Sequence, residues 1–321
     1  MKVLVTGATS LIGRHTVAVL EGRGDEVTTL QRSTTTIGRR SIAGSLLDDD
    51  ALRTACSDQD AVIHLAAKVG VTGDRTEYER INVDGTRRLL AVARSVGVRA
   101  FVHVSSPSVA HAGEPLVGAD ATPADPQGTR GHYATTKAEA ELLALDASTD
   151  AMPVVAIRPH LVWGPGDTQL IGRVVQRAEA GRLFLVGDGA ALIDTTYVDN
   201  AADALVAAAD RAAHVGGRAF VVSNGEPRTV RELLLRITAA AGVAWTPRSI
   251  PAPVAIGGGA VAEGIWSATG RDDDPPMTRF LAEQLSTAHW FDQVATRDAL
   301  DWRPAVSLAE GFERLEAVGV S

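Results

Sequence analysis

Residues 2–22 constrain the fold more than any other stretch of this chain. Lys2-Val-Leu-Val-Thr6 is a short apolar, β-branched run of the kind that forms a buried parallel strand. It leads straight into Gly7-Ala-Thr-Ser10-Leu-Ile-Gly13, and the apolar periodicity from His15 to Gly22 then reads as a helix. A strand, a glycine turn and a helix in that order form the phosphate-binding corner of a dinucleotide fold. Gly7 permits the tight turn, and Gly13 lets the helix pack closely on the strand. The backbone along Thr9, Ser10, Leu11 and Ile12 then presents N–H groups to a pyrophosphate. Ser10 stands where the pattern has its middle glycine, so the backbone approaches less freely there, and its hydroxyl offers a phosphate bond instead.

The alternation continues downstream. Glu26-Val-Thr-Thr-Leu30, Ala61-Val-Ile-His-Leu65, Ala100-Phe-Val-His-Val104 and Val154-Val-Ala-Ile157 read as strands, separated by helical segments. One of those helices opens at Ile81-Asn-Val-Asp-Gly-Thr86 and runs to about Ser95. The expected fold class is therefore α/β: a Rossmann doubly wound parallel sheet with helices on both faces, plus a smaller C-terminal cap for substrate. The expected division places residues 1–158, with about 189–222, in the dinucleotide-binding domain, and about 159–188 and 223–321 in the cap. Leu65, Ala66 and Ala67 follow one strand, and the two alanines leave room for a flat ring. The second strand ends at Gln31-Arg32-Ser33, where selection of NAD calls for an Asp or Glu. A guanidinium at Arg32 matches a 2′-phosphate, so NADP(H) is favoured over NAD(H).

Tyr133-Ala-Thr-Thr-Lys137 carries the chemistry. The chain holds three tyrosines and three lysines among 321 residues, so this pairing is an uncommon coincidence. Residues i and i+4 share one face of a helix. A neighbouring ammonium favours phenolate, so Lys137 is expected to lower the Tyr133 pKa towards working pH. Such a phenol gives or takes a proton as a carbonyl and an alcohol interconvert. His132 stands beside it as a candidate substrate contact.

Length and composition agree. A chain of 321 residues with 45% hydrophobic content exceeds one dinucleotide fold, and a net charge of −8 disfavours nucleic acid as a partner. A single cysteine, Cys56, excludes an internal disulfide and suits the cytoplasm. No signal region precedes the first strand, and the apolar stretch 250–268 contains Glu263, two prolines and a Gly-Gly-Gly run, which argues against a membrane span. His64, His103, His111, His132 and His160 lack ligand spacing, so no metal site is expected. Asp48–Asp50 reads as a helix start, Asp272–Asp274 as a polar loop, and Thr229 as the start of an amphipathic helix. Trp245, Val254, Ile256, Ile265, Trp266, Met277, Phe280 and Leu281 offer an apolar wall to a hydrophobic small-molecule substrate.

These residues resemble the extended short-chain dehydrogenase/reductases, the NAD-dependent epimerase/dehydratase superfamily. The resemblance covers nearly the whole chain. Beyond the glycine turn and Tyr-x-x-x-Lys, it rests on His64-Leu-Ala-Ala67, Asn82-Val-Asp-Gly-Thr86, Val104-Ser-Ser106, Arg158-Pro-His-Leu-Val-Trp-Gly-Pro-Gly-Asp167 and Tyr197-Val-Asp-Asn200. Met277-Thr-Arg-Phe280 and Leu300-Asp-Trp-Arg-Pro304 extend it. The chain looks most like the 3β-hydroxysteroid dehydrogenase branch, including the 2-alkyl-3-ketoalkanoate reductases. The resemblance implies that Tyr133 is the proton donor or acceptor and that Lys137 lowers its pKa and bonds the nicotinamide ribose. It implies that Ser106 bonds the substrate carbonyl, with Ser105 and Ser108 as competing assignments, and that Asn82 is structural or part of a proton relay. Pro159 and His160 fall at the nicotinamide end, and Ser108, His160 and Trp163 join His132 as substrate contacts. The implied activity is interconversion of a ketone and a secondary alcohol, by a homodimer. Sugar-nucleotide epimerisation or dehydration, which uses the same Tyr and Lys, is the alternative. A non-enzymatic dinucleotide sensor is a third reading.

Overall fold

The computed structural model describes residues 1–70, 73–110, 114–269 and 277–319, without the side chains of residues 267, 268 and 280. His111, the Asp272–Asp274 run and the Phe280 side chain therefore lie outside the described residues. Seven strands form one parallel sheet: β1 (Lys2–Thr6), β2 (Glu26–Gln31), β3 (Arg40–Ala43), β4 (Ala61–His64), β5 (Ala100–Val104), β6 (Val154–Pro159) and β7 (Ala219–Val222). Their order is β7-β6-β5-β4-β1-β2-β3. The chain winds outward from β1 to β3, then returns to the other side of β1 for β4. That reversal puts a crevice beyond the carboxyl ends of β1 and β4, where open α/β sheets bind ligands. Gly7 follows β1 and Leu65 follows β4, so both flank the crevice, with β5 delivering Ser105 and Ser106 and β6 delivering Pro159 nearby.

Strand residues alternate between two buried layers, as a period of two requires. Val3 and Val5 pack on one face of the sheet with the helices Leu11–Gly22 and Val198–Val215, while Leu4 packs on the other with the helices Asp49–Cys56, Gly85–Ser95 and His132–Asp146. Local chemistry sets the helix starts. The Asp48 carboxylate accepts from the Asp50 and Ala51 N–H groups, and the Thr229 hydroxyl from that of Glu232. Both starts follow the sequence reading. The segment around Asn82 departs from it. Instead of one regular helix from Ile81, a π-helical turn spans Glu79–Asp84 before the α-helix Gly85–Ser95. Such turns widen a helix locally and occur often at functional sites.

A second core lies under the helices Ile171–Glu179, Val230–Ala240 and Leu308–Val318. Beside it, short strands Arg228–Thr229, Leu192–Ile193, His289–Phe291 and Leu116–Ala119 form a four-stranded sheet in that order. The apolar wall expected of the late residues is only partly realised. Val254 is 62% exposed and Ile265 50% exposed on the helix Ala252–Thr269, while Trp245 packs on the second core. Among the described residues no helix is long and apolar enough to cross a membrane.

Candidate active site

The glycine turn is built for close approach. Gly7 has φ +73°, and a Cβ there would stand 2.7 Å from the Ala66 nitrogen. A Cβ on Gly13 would collide with the Gly7 carbonyl oxygen, so the helix reaches the strand only because position 13 is bare. The Ser10 hydroxyl caps this helix, accepting from the Gly13 N–H at 3.1 Å and donating to the Gly7 carbonyl at 2.8 Å. This local cap fixes the hydroxyl that the sequence reading offers to a phosphate. The Leu11 and Ile12 N–H groups, which have no acceptor within a helix's first turn, are left for an anion. Arg14 closes the turn, its guanidinium donating to the Thr9 carbonyl at 3.0 Å. Gln31 lies against the same turn, within reach of the Ala8 and Thr9 N–H groups through its amide oxygen. Arg32 is exposed at the end of β2. Bare glycines, free helix-start N–H groups and small residues after β4 suit a dinucleotide.

Tyr133 and Lys137 sit on the first turns of the helix His132–Asp146. Lys137 is 4% exposed, and its ammonium donates to the Val104 carbonyl at 2.6 Å. Burial lowers its pKa from 10.5 to about 8, with Glu141 opposing. The phenol departs from the sequence expectation. Burial raises the Tyr133 pKa above its ordinary value, a hydrogen bond from Ser106 opposes the rise, and Tyr78 adds to it. Desolvation of the phenolate outweighs the Ser106 hydrogen bond here, so Tyr133 rests as a neutral acid.

The three serines differ in their surroundings. Ser106 meets the Tyr133 phenol and accepts from the Ser108 hydroxyl at 2.9 Å. Ser105 is buried and its hydroxyl has no partner. Beneath them, His64 bonds Thr6 at 2.7 Å and Thr86 at 3.0 Å, with the His103 ring 5.6 Å away. Burial pushes His64 down to about 3 and His103 well below its ordinary value, with Lys137 adding to both, so both imidazoles are neutral. Asn82 touches neither Ser106 nor Tyr133. Its amide accepts from the Lys68 N–H at 2.7 Å and donates to the Lys68 carbonyl and the Thr136 hydroxyl, each at 3.1 Å. It ties the π-helical turn to the Tyr133 helix.

Ser106 and Tyr133 open onto a cavity of about 850 Å³, towards the upper end of small-molecule pockets, which span roughly 300–1,000 Å³. Ser108, His132, Pro159 and His160 share its wall. Leu170, Leu233, Leu234, Ile237, Phe291 and Phe312 give the wall much apolar surface. Residues 3–223 match the NAD dependent epimerase/dehydratase family. The chain belongs to that family.

Two relatives match an epimerase/dehydratase chain of this kind over nearly its full length. One is a 2-alkyl-3-oxoalkanoate reductase of Stenotrophomonas maltophilia, 40% identical over 99% of each chain. Another, with the same description, comes from Shewanella oneidensis, 36% identical over 98% of this chain and 85% of the relative. Among solved structures, MoeE5 in complex with UDP-glucose and NAD superimposes with a TM-score of 0.75 at 26% identity, covering 99% of this chain and 98% of that one.

Within this family member's site, the other predicted positions are distributed as follows. Leu65, Ala66 and Ala67 are half-buried beside the glycine turn. His160 is 6% exposed and packs edge-on against His289 and Phe291 at 5.1 and 5.0 Å. Trp163 reaches the cavity but is 1% exposed, stacked on Phe312 at 4.4 Å with its indole N–H donating to Thr195 at 3.0 Å. It is mainly part of the second core. The sequence reading missed Leu170, Thr195, Leu233, Leu234, Ile237, Phe291 and Phe312 as cavity wall. Only the Val230–Ala240 helix carried a usable signal, an apolar face at 233, 234 and 237. Among the described residues no group of His, Cys, Asp and Glu is placed to hold a metal ion.

Proposed function

We propose that this chain is an NADP-preferring ketoreductase that interconverts a ketone and a secondary alcohol on a hydrophobic β-keto or β-hydroxy acid or a steroid-like compound. One observation carries the reading: the Ser106–Tyr133 hydroxyl pair stands on the wall of a cavity lined in large part by apolar side chains. The two related 2-alkyl-3-oxoalkanoate reductases support the same class. The division into a dinucleotide lobe (1–158 with about 189–222) and a substrate cap (about 159–188 and 223–321) belongs to this proposal.

The Leu11 and Ile12 N–H groups, with Gly7, Thr9, Ser10 and Gly13, would hold a coenzyme's pyrophosphate, and Arg32 would meet a 2′-phosphate. Leu65–Ala67, Pro159 and His160 would border the nicotinamide, which would supply the hydride. Ser106 and Tyr133 then donate two hydrogen bonds to the substrate carbonyl oxygen, where negative charge develops. Tyr133, held neutral by burial, gives its proton to that oxygen. The Lys137 ammonium, one turn along the same helix, stabilises the phenolate that remains. Asn82 acts by holding the helix that presents Tyr133.

Sugar-nucleotide epimerisation is the second reading, favoured by the likeness to MoeE5. The leucines, isoleucine and phenylalanines of the cavity wall offer little to a sugar diphosphate. The family resemblance also carries a homodimer and a cytoplasmic location into the proposal. The test is NADPH oxidation with 2-alkyl-3-oxo acids and steroid ketones by the wild type and Tyr133→Phe. Turnover that disappears in the correctly folded variant is the expected result; inactivity on every ketone would favour the sugar-nucleotide reading.

A further inference from the structure

We propose that Arg130 is the anchor for a substrate carboxylate, making the cavity selective for β-keto acids over neutral ketones. The inference rests on the ketoreductase reading and adds the group that selects among ketones. A 3-oxo acid places its carboxyl carbon only two bonds of ~1.5 Å from the carbonyl carbon. With that carbonyl on Ser106 and Tyr133, the carboxylate has to lie on the same end of the cavity, and a cation has to meet it there.

The described cavity wall holds two guanidiniums, those of Arg130 and Arg279. Arg130 directly precedes Gly131, the residue before the catalytic helix, and stands three positions before Tyr133. Arg279 opens the helix Arg279–Ser286, far along the chain from Tyr133, and it is this place rather than its bonding that separates it from Arg130. Its Nε donates to Glu283 at 2.9 Å, one turn along the same helix, and its backbone N–H to Glu263 at 3.0 Å. Arg130 is 46% exposed and spends one nitrogen, Nη1, on Glu283; among the described residues it has no other protein acceptor. Its Nη2 and Nε remain for a ligand, in the fork geometry that suits a carboxylate.

The carboxylates facing this site are Glu283 and Glu263. Burial works against ionisation of Glu283, but the hydrogen bonds from Arg279 and Arg130 outweigh it and hold the carboxyl below its ordinary value. Glu283 thus stays charged and ties Arg130 to the helix Arg279–Ser286. A substrate carboxylate takes the unused face of the guanidinium. When it draws Arg130 away, Glu283 retains Arg279, so no carboxylate is stranded.

The test compares kcat/KM for a 2-alkyl-3-oxo acid and its methyl ester, in the wild type, Arg130→Gln and Arg130→Lys. The wild type is expected to favour the acid at least about tenfold, as a charge-assisted bidentate pair allows. Arg130→Gln brings the ratio close to one, chiefly through KM of the acid, and Arg130→Lys restores part of it. An unchanged ratio in Arg130→Gln, including an equal fall for both substrates, overturns the anchor and leaves the ketoreductase reading intact. A wild-type ratio near one does the same. No turnover of either substrate by the wild type removes both proposals together. The wild type alone gives an independent check that needs no variant to fold. A long-chain fatty acid should inhibit at least about tenfold better than its primary amide, and equal inhibition by the two contradicts the anchor.

Discussion

Lys137 provides the sharpest energetic test, because its ammonium is 4% exposed and its one protein acceptor among the described residues is the Val104 carbonyl. The fall in its pKa from 10.5 to about 8 reflects the cost of burying the charged form, less the opposing help of Glu141. At ~1.36 kcal/mol per pH unit this is about 3 kcal/mol at neutral pH. Lys137→Met removes that penalty but leaves the Val104 carbonyl without a donor, a loss of about 1–2 kcal/mol. The variant should therefore be about 1–2 kcal/mol more stable than the wild type, and catalytically dead. The sign of the pH dependence follows from linkage. Below pH 8 the lysine is protonated in the folded and unfolded chains alike, and the folded chain carries the whole penalty. Between about 8 and 10.5 the folded chain has released the proton that the unfolded chain still binds, so wild-type stability climbs with pH relative to the variant. The buried Cys56 thiol, pushed up to about 12, titrates equally in both proteins and cancels in the difference. Urea unfolding of the coenzyme-free proteins near neutral pH and again at about pH 10 provides the measurement. A variant less stable than the wild type at neutral pH, or a difference that does not move with pH, would refute the reasoning.

Three further outcomes follow from the same structure. Arg158 and Glu141 form a hydrogen-bonded pair with both side chains 1% exposed, so Arg158→Met should cost about 3–5 kcal/mol in chemical denaturation, and adding Glu141→Met should recover most of it; a single variant within 1 kcal/mol of wild type speaks against that pair's role. Gly13→Ala drives a methyl group into the Gly7 carbonyl and should weaken coenzyme binding at least about tenfold by titration calorimetry, whereas unchanged affinity would contradict the turn assignment. NADPH should bind at least about tenfold more tightly than NADH, a preference that Arg32→Ala erases; equal dissociation constants in the wild type would end the NADP assignment.

Local signals made much of the sheet legible before any coordinates. β-branched runs, one glycine turn and capping residues such as Asp48 and Thr229 each act within a few residues, and each reads correctly. Parts that depend on distant partners were opaque. The small sheet joins residues 116–119, 192–193, 228–229 and 289–291, and its strands of two to four residues are too short to show a period. The π-helical turn at Glu79–Asp84 escaped because its composition is that of an ordinary helix. Spacing located Tyr133 and Lys137 on one helix, but the direction of the Tyr133 pKa depends on burial by surrounding elements, which spacing does not report. The apolar wall was sought in residues 243–285, yet much of it comes from the helix Val230–Ala240 and from Phe312.

The most direct measurement follows a deuterium label from C4 of the reduced coenzyme during turnover of a 2-alkyl-3-oxo acid. Direct hydride delivery to a carbonyl held by Ser106 and Tyr133 predicts one deuterium on the new carbinol carbon for each coenzyme oxidised. A product without the label, or a coenzyme that stays bound and is never consumed, would contradict ketone reduction at this site.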